Sequence, residues 1–311
     1  MTALKGPAVA LVGATASGKS ALAHELALTE GDVDIVSVDA MCVYRGMDLA
    51  TAKPTSRERA EVPYHLLDLV EPSEEFTVAQ YQRDAQDATT QVWDLGRRVL
   101  FVGGTGLYGR AVLDDLDIPG RYPEIRQGLE ERATSDLASL YAQLEELDPL
   151  SASRMEPSNE RRVVRALEVT LGSGRTFSSY GEGLMTYGAT RVIQIGLDAP
   201  LEVLDERIDS RFRRWMDEGL LDEVTSLLER PGGMGRTARQ AVGYRQILAH
   251  VEDGQPLETC VNDAITQSRR LARRQRSWFR RDPRVEWFED PSAAADRLVN
   301  VLNGSDGIVR D

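Results

Sequence analysis

Residues 13–20 form the motif G-x-x-x-x-G-K-S, the pattern of a phosphate-binding loop. Glycines at positions 13 and 18 let the backbone curl so that successive N–H groups point at an anion. Lys19 adds a positive charge for phosphate oxygens, and the Ser20 hydroxyl is placed to ligate Mg²⁺. The predicted phosphate-binding residues are Gly13, Ala14, Thr15, Ala16, Ser17, Gly18, Lys19 and Ser20.

Two further polar residues follow apolar runs that are typical of buried strands. Asp39 comes directly after residues 33–38, and Thr105 lies in a glycine-rich segment after residues 99–102. The Asp39 carboxylate could hold Mg²⁺ through water, act as a general base, or cap the next segment. The glycines beside Thr105 would permit a ligand to approach the backbone closely.

A basic stretch occurs near the end of the chain. Residues 265–285 contain eight arginines and one acid, and Arg269, Arg273, Arg276 and Arg280 recur at helical spacing. Such a stripe favours contact with an RNA backbone, with residues 161, 162 and 165 as a second basic contact. In the alternative interpretation, the stripe pairs with acids of the same chain.

Alternating strand and helix patterns must position these residues. Apolar runs at 7–12, 33–38, 99–102, 191–197 and 285–288 predict strands, and helical patterns between them indicate βαβ units in a doubly wound parallel sheet. Because ligands bind beyond the carboxyl ends of such strands, the phosphate loop, Asp39 and residues 103–106 should line one crevice. Residues 119–188 carry helical patterns at 124–134, 136–146 and 160–171, so we expect a helical insertion within a core formed by 1–118 and 189–311. Further helices are predicted at 21–28, 201–228 with a break, 239–251 and 257–281.

Composition limits the compartment and the partners. The 311 residues carry a net charge of −13 and are 41% hydrophobic, without an apolar run long enough to span a bilayer. The two cysteines, Cys42 and Cys260, form no C-x-x-C pair, which is typical of a reducing compartment. We therefore expect a cytoplasmic protein without a membrane partner.

Several segments together resemble the bacterial tRNA dimethylallyltransferase (isopentenyltransferase) family. The most specific is Tyr44-Arg45-Gly46-Met47-Asp48, followed by Thr51-Ala52-Lys53-Pro54. The others are the phosphate loop and residues 37–39, 65–68, 76–81, 103–108, 241–245 and 269–281.

The resemblance implies an activity and a fold. Members transfer a dimethylallyl group from dimethylallyl diphosphate to the exocyclic N6 amine of the adenosine 3′ of the anticodon, in tRNAs that read codons beginning with U. The products are N6-isopentenyladenosine and diphosphate. The implied fold is α/β: a P-loop, nucleotide-kinase-like parallel sheet core with an all-helical insertion domain. The implied partners are the tRNA anticodon arm, the prenyl donor and Mg²⁺, and we expect a monomer.

Matching positions carry the family's roles onto this chain. Asp39 corresponds to the general base, Thr105 to the threonine lining the reaction channel, and Arg211 to the arginine on the diphosphate; with Lys19 these are the predicted catalytic residues. The resemblance places tRNA contacts at Asp39, Ala40, Met41, Cys42, Thr105, Arg126, Glu160, Arg161, Arg162, Val163, Val164, Gln240, Ala241, Val242, Gly243, Tyr244 and Arg245, to which the basic stripe adds Arg273 and Arg276.

One departure and two alternatives stand beside this interpretation. The family usually has Asp-Ser-x-Gln where this chain has Asp39-Ala40-Met41-Cys42, and a thiol cannot donate and accept as an amide does. A small-molecule or nucleoside kinase would use the same loop, serine and aspartate with ATP. An ATP-driven RNA-binding module would need an apolar strand ending in paired acids, for which residues 113–115 are the candidate.

Overall fold

Six parallel strands form a single sheet in the computed structural model, which describes residues 8–181, 186–188, 190 and 192–304. Along the chain they are β1 (Ala8–Val12), β2 (Val33–Val38), β3 (Tyr64–His65), β4 (Arg98–Gly103), β5 (Ile193–Leu197) and β6 (Val285–Phe288), and their spatial order is β3-β2-β4-β1-β5-β6. The prediction of an α/β fold with a parallel sheet is confirmed. The predicted strand residues Pro7 and Arg191 lie outside the described residues.

Strand register brings the predicted site segments to one edge of the sheet. Gly103 at the end of β4 pairs with Val12 on one side and with Val38 on the other. The segments that follow these residues therefore leave the sheet side by side, as expected for parallel strands. Gly103 permits this close approach, because a Cβ at that position would lie 1.9 Å from the Val38 carbonyl oxygen.

Helices connect and cover the strands. Before the fifth strand they are α1 (Lys19–Glu30), α2 (Ser56–Glu61), α3 (Val78–Asp94), α4 (Gly106–Leu113), α5 (Pro123–Leu147), α6 (Pro149–Ser153) and α7 (Glu160–Ser173). After it come α8 (Leu201–Asp217), α9 (Leu220–Glu229), α10 (Tyr244–Asp253), α11 (Leu257–Arg280) and α12 (Pro291–Leu302). None of these described helices is long and apolar enough to cross a membrane.

Alternate side chains of the central strands enter two separate apolar clusters. Val9 and Leu11 of β1 pack with residues of α1 and α12, whereas Ala8 and Ala10 belong to the cluster that includes α3, α8 and α11. This alternation follows from the two-residue period of a strand. Burial on both faces explains why the strands read as continuous apolar runs in the sequence.

The helix boundaries differ from the predictions in a few places. The predicted helix over 239–251 begins at Tyr244, because Gly243 takes a φ of 96° and its N–H is capped by Gln246. The predicted helices at 124–134 and 136–146 form one element, α5, with a non-helical residue at Asp136. Neither β3 nor α12 was predicted.

The chain divides into two compact units. One comprises the chain up to Asp115 and from Tyr187 onward, and the other is Leu116–Thr186. The second unit is helical and packs residues such as Leu140, Leu144 and Leu167 in its own core. Its buried Glu168 accepts hydrogen bonds from Arg126 and from the Tyr122 N–H.

Candidate active site

A large cavity opens at the carboxyl edge of the sheet, within the first unit. Its volume is about 1050 Å³. The phosphate loop forms one part of its wall, and α8 and α11 contribute others. Its polar lining includes Thr15, Lys19, Ser20, Asp39, Lys53, Arg207, Arg211, Arg214 and Gln275. A space of this size can hold a phosphorylated small molecule together with part of a larger substrate.

The phosphate loop has the curled backbone that its glycines predict. Gly13 and Gly18 take φ values of 149° and 100°, and Ala16 takes 66°. A Cβ at residue 13 would lie 2.4 Å from the Leu197 carbonyl oxygen, so this position requires glycine. The Lys19 ammonium donates to the Ala14 carbonyl at 3.0 Å, which holds the lysine across the loop.

Arg211 reaches the phosphate loop from α8. Its Nη2 donates to the Thr15 hydroxyl at 2.7 Å, and its guanidinium carbon lies 4.8 Å from the centre of the Trp215 ring. Burial lowers the pKa of Arg211 to about 10. Its Nε and the Ser17 hydroxyl are both buried without a hydrogen-bond partner among the described residues. Since unpaired buried donors are costly, these groups favour an anionic ligand in the cavity.

Asp39 lines the same cavity as Lys19. One carboxylate oxygen accepts hydrogen bonds from the backbone N–H groups of Met41 at 2.8 Å and Cys42 at 3.3 Å. Burial raises the pKa of Asp39, although these bonds and the charge of Lys19 oppose the rise. Burial, together with the charge of Arg211, lowers the pKa of Lys19 to about 8.

Thr105 lies beside this carboxylate turn. Its hydroxyl accepts a hydrogen bond from the Ala40 N–H at 3.3 Å. The structure therefore brings together four predicted catalytic residues: Lys19 and Asp39 line the cavity, Arg211 binds the loop next to Lys19, and Thr105 contacts the residue after Asp39.

A buried lysine fixes the long loop that follows Asp39. The Lys53 ammonium donates to the Tyr44 carbonyl at 2.5 Å, to the Asp48 carboxylate at 2.9 Å and to the Asp68 carboxylate at 2.6 Å. These three acceptors use all three of its donors. The Cys42 thiol donates to the Thr51 carbonyl at 3.7 Å within the same loop.

Comparison with known proteins places this chain in a family. The family model described as IPP transferase matches residues 42–282, which is more than half of the chain. The chain belongs to the IPP transferase family. Among curated relatives, the tRNA dimethylallyltransferase of Kineococcus radiotolerans is 46% identical over 309 residues, covering 95% of this chain and 96% of the relative. The tRNA dimethylallyltransferase of Parafrankia sp. is 45% identical over 305 residues, covering 96% and 94%.

Solved structures of IPP transferases agree with this assignment. The full-length tRNA isopentenylpyrophosphate transferase of Bacillus halodurans is 33% identical, with a TM-score of 0.70 over 97% of this chain and 98% of that one. A eukaryotic dimethylallyltransferase acting on tRNA matches with a TM-score of 0.79 over 96% of this chain and 79% of that one. At 23% identity, the second likeness shows the fold alone.

Many of the predicted tRNA contacts of this IPP transferase are either exposed at the surface or part of the cavity wall. The side chains of Glu160, Arg161, Arg162, Gln240 and Arg245 are exposed, and Met41, Cys42, Ala241 and Val242 line the cavity.

Three predicted contacts have no side chain available to RNA. Val163 and Val164 are almost completely buried in the core of the helical unit, because they lie on the apolar face of α7. Tyr244 is also buried, and its hydroxyl donates to Glu223 at 2.5 Å. Their side chains are therefore not exposed to a partner in this structure, and tRNA contact at these three positions stays a prediction. Arg126 is half-buried and paired with Glu130 and Glu168.

The basic stripe of α11 is paired within the chain. Arg273 binds Asp205 at 2.7 Å, and Arg276 and Arg280 both bind the buried Asp198 at 2.9 Å and 2.6 Å. Arg269 lies 3.6 Å from Asp209. These ion pairs favour the alternative interpretation, in which the stripe pairs with the chain's own acids.

Sequence reasoning missed two residues that contact site segments. The Gln275 amide oxygen accepts from the Thr15 N–H at 2.8 Å, and Glu223 accepts from the N–H groups of Asp48 and Leu49, each at 3.1 Å. Gln275 lies four residues after Leu271, so the two share one face of α11, and that apolar neighbour was the available signal. No comparable local pattern marks Glu223.

Proposed function

We propose that this protein transfers the dimethylallyl group of dimethylallyl diphosphate to the N6 amine of the adenosine 3′ of the anticodon, in tRNAs reading codons that begin with U. The observation that carries this proposal is the shared cavity, in which Lys19 and Arg211 supply positive charge and Asp39 supplies a carboxylate. The names of the relatives support the same activity. The kinase alternative is not favoured, because the curated relatives are named as transferases of a different class.

The charge distribution suits departure of a diphosphate. The bond from the allylic carbon to the diphosphate oxygen breaks, and its electron pair leaves with the diphosphate. The loop N–H groups, Lys19 and Arg211 would stabilise that developing charge. The unpaired Nε of Arg211 and hydroxyl of Ser17 are donors already placed for such an anion.

Asp39 would remove the proton from the nucleophile. The adenine amine is a weak nucleophile because its lone pair is delocalised into the ring. Loss of a proton must therefore accompany formation of the N–C bond. The raised pKa of Asp39 brings its carboxylate closer to the operating pH as a base. General-base assistance of this kind contributes on the order of 10²–10⁴-fold.

The site also fits a Mg²⁺ ion that binds together with the phosphates of a substrate. No group of three or more His, Cys, Asp or Glu side chains is arranged for a metal in the described part of the chain. Mg²⁺ usually needs only one or two protein oxygens beside phosphates and water. Ser20 lines the cavity and would hold the ion, which would neutralise charge on the diphosphate.

Recognition of RNA would use exposed residues. Arg161 and Arg162 at the start of α7, and Gln240 and Arg245 around the start of α10, are available to an anticodon arm. The target base must leave its stack to enter the cavity, which costs roughly a few kcal/mol. The two free, buried cysteines agree with a cytoplasmic enzyme, and we propose that it acts there as a monomer.

One experiment tests the activity directly. The protein is mixed with Mg²⁺, labelled dimethylallyl diphosphate and unmodified tRNA, and label in the RNA is measured with released diphosphate. A tRNA with guanosine in place of the target adenosine is the matched control. A parallel reaction with γ-labelled ATP and nucleosides tests the alternative function, that of a kinase. Absence of label in adenosine-containing tRNA, or transfer of phosphate from ATP, would overturn the proposal.

A further inference from the structure

Glu223 binds the long loop after Asp39 from outside the cavity. Its two carboxylate oxygens accept from the backbone N–H groups of Asp48 and Leu49, each at 3.1 Å. One of these oxygens also accepts from the Tyr244 hydroxyl at 2.5 Å. Two successive loop N–H groups and the Tyr244 hydroxyl of α10 are thus held by one carboxylate of α9.

These bonds join two segments of the cavity wall. Residues 50–54 line the cavity directly after the bonded N–H groups, and Ala241 and Val242 line it just before Tyr244. Gly243 packs tightly between them, because a Cβ there would lie 2.9 Å from the Ala50 side chain. Glu223 itself does not line the cavity, so any effect on a bound substrate must pass through these two segments.

The loop needs such restraint, because part of its backbone is strained. Ala52 and Asp68 take φ values of 53° and 55°, which residues other than glycine rarely adopt. Lys53 lies beside one of these residues and binds the other. Glu223 holds the part of the loop that precedes Ala52, at residues 48 and 49.

We propose that Glu223 is a positioning residue that holds residues 48–54 and 241–244 in the conformation that receives the tRNA. This inference rests on the proposed function. None of the hydrogen bonds made by Glu223 reaches the phosphate loop. Loss of Glu223 should therefore weaken the use of tRNA and leave the use of the prenyl donor nearly intact.

The expected loss of tRNA affinity follows from the populations of the loop conformations. Without the carboxylate, two loop N–H groups have no acceptor, and the loop populates other conformations. The apparent affinity for tRNA then falls by the fraction of molecules that remain competent. Hydrogen bonds to a charged group are strong, so we expect that only about one tenth of the molecules without this carboxylate keep the loop conformation that binds tRNA.

The first test compares Glu223→Ala and Glu223→Gln with Glu286→Ala, which removes an ion pair with Arg297 on another part of the surface. We expect the KM for tRNA to rise about tenfold in Glu223→Ala and by less in Glu223→Gln, which keeps one acceptor oxygen. The KM for the donor at saturating tRNA should stay within about twofold. Equal KM values for tRNA in all variants, or an equal rise for both substrates, would overturn the inference.

Tyr244→Phe gives an independent measurement if Glu223→Ala does not fold. It removes the hydroxyl that joins α10 to the Glu223 carboxylate, so it should change the KM for tRNA in the same direction, upward. Combined with Glu223→Gln, its effect should be less than the product of the two single effects, because both act on one network. Independent effects would overturn the inference. An inactive wild-type protein would instead refute the proposed function.

Discussion

Arg211 of α8 donates a hydrogen bond to the Thr15 hydroxyl in the phosphate loop at 2.7 Å, although the two residues lie 196 positions apart. This contact brings a second cation to the loop that holds Lys19. The proximity has an electrostatic cost, since Arg211 is among the causes that lower the pKa of Lys19. Two half-buried cations at one loop favour a ligand with more than one negative charge.

The first prediction concerns Arg211 and donor use. Arg211→Ala should lower kcat/KM for dimethylallyl diphosphate by about 10²–10³-fold, because a preorganised donor to the leaving group is removed. Arg211→Lys should recover little of it, since an ammonium lacks the planar, forked donor geometry with which a guanidinium binds Thr15 and a diphosphate together. Steady-state kinetics at saturating tRNA measure both.

Arg213→Ala is the matched control on the same helix. Arg213 is half-exposed and paired with Asp209, and it does not line the cavity. Its replacement should leave kcat/KM nearly unchanged. An Arg211→Ala variant with normal donor kinetics would contradict the assignment of the diphosphate site.

The second prediction is a bell-shaped pH profile of kcat/KM for the donor. Lys19 must be protonated to bind phosphate, so activity should fall as the pH rises through about 8, the lowered pKa of Lys19. Asp39 must be ionised to accept a proton, so activity should also fall on the acid side. That fall should come at a higher pH than for an ordinary aspartate, because burial raises the pKa of Asp39.

Two variants assign the limbs of this profile. In Lys19→Arg the alkaline limb should disappear, because a guanidinium stays protonated across this range. In Asp39→Asn the single-turnover rate should fall by about 10²–10⁴-fold and lose its acid limb, with tRNA affinity retained. An alkaline limb that stays near pH 8 in Lys19→Arg would rule out Lys19 as its source.

Residues at strand ends could be predicted from the sequence. The phosphate loop and Asp39 each follow a buried apolar run, and in a parallel sheet such runs end at the same edge. Their presence in one cavity follows from that rule. Arg211 was expected only through the family resemblance, because an arginine on an amphipathic helix carries no local sign of its partner.

Contacts between distant helices and loops could not be predicted. The contact of Gln275 with Thr15 and that of Glu223 with Asp48 depend on which helix face docks at the sheet edge. Periodicity identifies an apolar face, but it does not specify the element that covers this face. The strand Tyr64–His65 has two residues, too few to show a pattern. The charged stripe of α11 suggested RNA because its acidic partners are distant in sequence, one directly after β5 and one on α8.

The third prediction tests the close approach of β2 and β4 at the edge of the sheet where the site lies. Gly103→Ala would place a Cβ 1.9 Å from the Val38 carbonyl oxygen, and backbone there cannot move aside cheaply. We expect the free energy of unfolding to fall by about 1–3 kcal/mol, or more. Gly128→Ala is the control: nothing lies within 4 Å of its Cβ on α5, and alanine should stabilise that helix by roughly 0.5–1 kcal/mol. Urea denaturation measures both changes. A free energy of unfolding that is unchanged in Gly103→Ala would contradict the observed register of β4 against β2.

The fourth prediction separates arginines that bind the protein from those that bind RNA. Arg273 and Arg276 are paired with Asp205 and Asp198, whereas the neighbouring Arg270 and Arg274 are exposed on α11. Replacing either pair by alanine removes the same formal charge. The Arg270 and Arg274 double variant should reduce the slope of log K against log salt by about 0.7–0.9 for each RNA phosphate that an arginine no longer neutralises.

The Arg273 and Arg276 double variant should leave that slope nearly unchanged and lower the Tm, because Asp205 and the buried Asp198 each lose one of their ion-pair partners. Filter binding of tRNA across a salt series and thermal denaturation give the two quantities. The reverse pattern, a flattened slope for Arg273 and Arg276 with an unchanged Tm, would show that these ion pairs open to bind RNA. In that case the stripe would be the RNA contact that its spacing first suggested.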